Sequence, residues 1–197
     1  MLFVVLYGRY EAAKLAERLD AWRGHHVLRG EIAQLLPVLE QRADALPHPA
    51  PLAPEIPILL HARYLDVELS AAFGAIAKNG RYRNFYRGVE TVQDGRFDLL
   101  LVTLDKGDVA REHLKYNDFP VTETLFHWQS QAGTRVDDRA GLRLLRPAEN
   151  DVTPLLFVRE TKKDARQVTT GFRYLGPVEP RSHHGERPIT IEWQLST

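Results

Sequence analysis

An imidazole, an indole, two carboxamides and a hydroxyl fall within seven consecutive positions, residues 125–131 (LFHWQSQ). His127, Trp128, Gln129, Ser130 and Gln131 include no carboxylate, ammonium or thiol, so the segment has nothing with which to drive a reaction alone. Its chemistry suits recognition: a flat indole for stacking, and amides that donate and accept toward the edge of a nucleobase. In an extended chain His127, Gln129 and Gln131 alternate with Trp128 and Ser130, so the first three share one side. The plainer reading makes Phe126 and Trp128 core residues with Gln and Ser on the far face of a strand; it is preferred for Leu125 and Phe126, and a polar stripe of this kind normally faces solvent.

A second set lies at residues 78–87 (KNGRYRNFYR), where Lys78, Arg81, Arg83 and Arg87 alternate with three aromatics and no acid. Cations interleaved with aromatics suit phosphate contact plus base stacking, and equally a solvated loop whose rings cover a core edge. The paired histidines His183-His184 and His25-His26 have no third ligand at metal spacing, and no metal or cofactor is expected. A phosphate-binding Gly-Lys-Ser/Thr loop, a His-x-Lys pair of the phospholipase D type (His-x-Lys-x-x-x-x-Asp), a His-Glu-x-x-His helix and a Gly-x-Ser-x-Gly elbow are all missing. The chain is therefore not expected to be a nuclease, NTPase, metalloprotease or serine hydrolase.

The 26 Lys and Arg balance 26 Asp and Glu, so any nucleic-acid contact must come from a local patch and not from overall charge. Cysteine is absent, which excludes disulfides and thiolate chemistry and fits a reducing compartment. The opening apolar run Leu2 to Leu6 is too short for a signal or a membrane span, so a cytoplasmic location with no membrane contact is expected.

Two zones must position these groups. Residues 1–46 read as a helical appendage: 11–22 is rich in Ala, Leu and Glu, with Gly24 as a stop. Leu28, Ile32, Leu35, Leu36, Leu39 and Ala43 then recur at helical spacing, and Pro37 marks a kink or a start. Residues 47–57 hold a run of prolines and read as a semi-rigid linker. Residues 58–197 read as a recognition domain, with a short helix over 66–76 and strands at 97–104, 141–145, 155–159, 170–175 and 188–195. Turns are expected at 93–95, 106–108, 176–177 and 184–186. Many short strands with few helices between them predict an α+β fold with a mainly antiparallel, barrel-like sheet.

Several phrases occur in a set order: HARYLDVELSAAFG (61–74), VTLDK (102–106), LFHWQSQ (125–131), LLFVRE (155–160), FRYLGPV (172–178) and HGERPITIEW (184–193). Together they resemble an uncharacterised C-terminal domain of bacterial fusion proteins that carry a phospholipase D-type nuclease and a DEAD/DEAH helicase ahead of it. The resemblance spans residues 60–195. It departs at the loop 107–113, at Leu65 before the short helix, and across 135–147. It implies the target-reading part of a Type IV, modification-dependent restriction enzyme, with an SRA- or PUA-like barrel. The helical zone then resembles the connector that follows the helicase, in a stand-alone descendant or a truncated gene.

The resemblance implies double-stranded DNA with modified cytosine as the partner, together with a helicase or nuclease partner protein that supplies the activity. A reader of this kind extrudes the base into a pocket and tests its edge there. His127, Trp128, Gln129, Ser130 and Gln131 are the candidates for the base side, with Arg159 and Tyr174 lining the same cleft from neighbouring strands. Arg63, Lys78, Arg81, Arg83 and Arg87 are the candidates for the DNA backbone. The alternative is a docking module for a separately encoded helicase or nuclease, built on the leucine-rich front helices.

Overall fold

The computed structural model of the chain describes residues 11–42, 53, 55–105 and 118–196. The apolar run 2–6, most of the proline-rich stretch 47–57 and the loop 107–113 lie outside them. The fold is α+β: N-terminal helices followed by a mixed sheet of eight strands.

The front zone is helical. A short 3-10 turn leads into α1 (Leu15–Gly24), and after His25 comes α2 (His26–Arg42), which runs through Pro37. Leu28 and Ile32 are half-buried, whereas Val27, Leu35, Leu36 and Val38 are exposed. The Ala12 N–H bonds the Gly80 carbonyl at 2.8 Å and so ties this zone to the rest of the chain.

The sheet contains β1 (Arg63–Tyr64), β2 (Val89–Val92), β3 (Phe97–Asp105), β4 (Phe119–Pro120), β5 (Leu125–Gln129), β6 (Thr153–Thr161), β7 (Phe172–His184) and β8 (Thr190–Leu195). Two helices accompany it, α3 (Asp66–Ala72) and α4 (Arg139–Leu145). The strand order is β2-β3-β6-β7-β8-β5-β4, with β1 also on β7. β3 and β6 are parallel and every other pair is antiparallel. The sheet is an open path and does not close into a barrel.

The apolar run of β3 is continuous because both of its faces are covered. Phe97, Leu99 and Leu101 face one cluster with Leu69, Phe73, Phe157 and Tyr174; Leu100 and Val102 face another with Trp128, Leu144, Ile191 and Trp193. The 13-residue β7 serves both halves. Its first part pairs with β6 and its second with β8, and Gly176 (φ +116°) stands where the β6 register shifts.

Two local expectations are corrected. Residues 141–145 are the body of a helix, not a strand, because Asp138 caps it by accepting the Gly141 N–H at 2.7 Å. Gly176-Pro177 is not a turn but a bulge inside β7, where only glycine meets the positive φ without strain. At the start of α3, Leu65 offers no side-chain cap, and the Glu68 carboxylate instead accepts the Leu65 N–H at 2.7 Å.

Candidate nucleic-acid interface

At the carboxyl ends of β3 and β6, beside the end of β5, a pocket of about 290 Å³ opens to solvent. That is close to the lower bound for small-ligand sites, about 300 Å³. Its walls are aromatic: Trp128 from β5, Phe172 from β7, and Phe85 and Tyr86 from the loop before β2. The polar groups come from Gln129, Gln131, Thr103 and Asp118, and the cations from Arg87, Arg159 and Lys162.

Trp128 is 3% exposed, packed at 6.2 Å between ring centroids against Trp193, so only an edge of the indole reaches the pocket. Arg159 is held on three sides. Its Nε donates to Thr103 Oγ1 at 2.9 Å, one terminal nitrogen donates to the Thr170 carbonyl at 3.3 Å, and the guanidinium lies 4.0 Å over the Phe172 ring. Burial lowers its pKa from the ordinary arginine value, partly opposed by the Asp66 carboxylate, and an arginine so placed stays charged at neutral pH.

Gln129 ends β5. Its backbone N–H donates to Asp118 Oδ1 at 3.0 Å and its amide reaches Thr190 Oγ1 at 3.4 Å. Gln131 lies beyond the strand, exposed, and also borders a second hollow of about 190 Å³. Trp128 and Arg87 border that hollow too, so one wall separates the two. On its far side Asp98 and Arg143 form a buried ion pair with contacts of 2.8 and 3.0 Å, and Thr91 Oγ1 donates to Asp98 at 2.6 Å.

The pocket thus unites five of the residues singled out from sequence: Trp128, Gln129, Gln131, Arg159 and Arg87. The others stand elsewhere. His127 stacks on Phe119 at 4.6 Å between centroids, on the β4 edge. The buried Ser130 hydroxyl accepts the Ile189 N–H at 2.8 Å and donates to the Gln131 carbonyl at 3.2 Å, so it fastens β5 to β8 and does not face the pocket.

Tyr174 does not line the cleft. It is fully buried and stacked on Phe157 at 4.8 Å. Phe172, two residues earlier on the same face of β7, takes the place beneath Arg159 that was expected for it.

Arg83 is committed to Glu90 at 2.7 Å and to the Thr91 carbonyl at 3.0 Å. Arg63 lies on β1 opposite Arg173, and Lys78 and Arg81 lie on the turn bridged by Ile76 and Tyr82. None of these four lines the pocket. Sequence reasoning placed Phe85 and Tyr86 only within the 78–87 segment of cations and aromatics, and it missed Asp118, Thr103, Lys162 and Phe172, whose positions no periodicity marks.

Among the described residues no group of three or more His, Asp or Glu side chains is placed to hold a metal ion. No described helix is long and apolar enough to cross a membrane.

The domain is an open mixed sheet with an aromatic, cation-rimmed pocket at its strand ends. Residues 60–197 match the family described as a domain of unknown function, DUF3427, and the chain belongs to that family. Comparison with curated proteins finds no match.

Proposed function

We propose that this chain is a DNA-recognition module that reads modified cytosine for a helicase and nuclease system of the restriction type, acting in the cytoplasm without chemistry of its own. One observation carries the reading. Residues far apart in sequence converge on a single pocket that offers aromatic walls, amide groups and cations together. An extruded base asks for those three things: rings to stack on, donors and acceptors at its edge, and positive charge outside for the flanking phosphates. Arg87 serves the phosphate role best. It is exposed and borders the pocket, the 190 Å³ hollow and a further hollow of about 350 Å³, and its guanidinium has no partner among the described residues. The test is a gel shift of methylated and unmethylated duplexes at moderate fixed salt. Preferential binding of the methylated duplex is expected; equal and negligible binding of both removes the reading.

A second reading is favoured by α2, whose Val27, Leu35, Leu36 and Val38 stand exposed. Exposed apolar side chains of this kind suit docking onto a separately encoded helicase or nuclease. It predicts a stable complex with such a protein, and a clean monomer in light scattering with no captured helicase or nuclease counts against it.

A further inference from the structure

The Glu90 side chain is 4% exposed and its carboxylate is saturated with donors. Oε1 accepts the backbone N–H groups of Tyr86 at 3.3 Å and Arg87 at 3.2 Å, and Oε2 accepts Arg83 at 2.7 Å. A buried carboxylate spent on two main-chain donors of one loop fixes that loop's path. The rest of the loop is pinned as well. Phe85 is buried in the core, and the Gly88 carbonyl accepts the Leu101 N–H from β3 at 2.8 Å.

The consequence is the placement of Tyr86. Its neighbour Phe85 turns inward, and Tyr86 turns out, 80% exposed, between the 290 Å³ pocket and the hollow of about 350 Å³. A large ring held in water by a buried anchor gains nothing for the fold. It gains contact when a flat ligand enters beside it.

We propose that Tyr86 is the outer stacking plate of the pocket and that Glu90 is the positioning residue that holds Tyr86 and Arg87 at its mouth. The ligand class follows from the exposed ring: an aromatic heterocycle lying flat against Tyr86 at the pocket mouth, with a phosphate in reach of Arg87. This rests on the DNA-reader reading for the identity of the ligand, but the Glu90 clamp can be tested without any ligand.

The experiment uses the full chain and a fluorescent duplex containing 5-methylcytosine, with affinity read by anisotropy at fixed salt. Loss of one stacking plate in Tyr86→Ala lowers affinity about tenfold or more, and Tyr86→Phe, which keeps the ring, retains most of it. Glu90→Ala lowers affinity to a similar degree. In the Tyr86→Ala, Arg87→Ala background it adds little, because it acts through those two residues. Glu90→Gln, which keeps an acceptor oxygen, restores most of the binding. Amide hydrogen exchange on the free protein supplies the ligand-independent arm: the Tyr86 and Arg87 N–H groups exchange slowly in the unaltered chain and faster in Glu90→Ala, while core amides of β3 do not change. Methyl-selective binding that persists at full strength in Tyr86→Ala overturns the stacking role while leaving the reader function standing. If the unaltered chain binds neither duplex, the reader function and the stacking role fall together. Unchanged exchange at residues 86 and 87 in Glu90→Ala overturns the clamp.

Discussion

Replacing Arg143 by methionine tests how α4 is held against the sheet behind Trp128. The Arg143 side chain is 13% exposed and Asp98 only 2%, and they share two bonds of 2.8 and 3.0 Å, while Arg143 also donates to the Gly95 carbonyl at 2.7 Å. Methionine fills similar space but removes the charge, leaving the Asp98 carboxylate buried with Thr91 Oγ1 as its remaining side-chain donor. Breaking one side of a buried pair costs about 3–5 kcal/mol, against about 0–1 kcal/mol for an exposed pair. For a chain of this size about 1 kcal/mol moves the melting temperature by roughly 2–4 °C, so a drop on the order of 10 °C is expected. Urea titration is the assay, and the midpoint should fall with little change in slope. The paired change Asp98→Leu with Arg143→Met should recover most of the loss, because no buried charge is then left without a partner. A loss under about 1 kcal/mol in the single variant, or a double variant as unstable as the single, would refute the reasoning.

The remaining predictions concern single groups. Tyr174→Phe removes a buried hydroxyl that has no partner among the described residues, and it should raise stability by about 1 kcal/mol in urea titration; a loss would reveal a bond to that oxygen. Ser130→Ala takes the acceptor from the buried Ile189 N–H and should cost about 1–3 kcal/mol while DNA affinity stays unchanged, and weakened affinity at full stability would return Ser130 to the site. The Asp138 carboxylate accepts the Arg135 and Gly141 N–H groups, which hold its pKa below the ordinary value. Its folded pKa being depressed, its stabilisation is present above the ordinary aspartate range near pH 4 and is lost as pH falls through the folded pKa. Asp138→Asn should therefore flatten the acid limb of stability against pH, and an unchanged limb in urea titrations at successive pH values would contradict the assignment.

How much of this was legible in the sequence follows from what each signal depends on. The β3 run (FDLLLVTL) reads correctly because its burial pattern repeats along the chain itself, whereas residues 125–129 stand out by side-chain chemistry and are not among the predicted strands. Residues 141–145 did not, since a seven-residue helix with three leucines shows too few turns to separate a period of 3.6 from a buried strand, and its Asp138 cap lies outside the apolar run. In the candidate site, Trp128, Gln129, Gln131 and Arg159 stood out by residue type, and the structure brings all four to one pocket. Tyr174 was expected in the cleft and Phe172 stands there instead, because which residue of one strand face reaches the cleft depends on register, which the bulge at Gly176 helps set and no local pattern reports. Asp118, Phe85 and Tyr86 converge through tertiary packing of loops, and no spacing along the chain encodes that.

β7 is bonded to β6 along its first part and to β8 along its second, so it passes between the two hydrophobic clusters as a common beam. Strands β3, β6 and β7 each place side chains in both clusters, so neither cluster can come apart with its strands left intact. The described sheet should therefore unravel in one all-or-none step, and damage near the His183-His184 tip should be felt beneath Arg159 at the opposite end of the same strand. A single continuous segment thus ties the fate of the pocket to that of a hairpin it never touches.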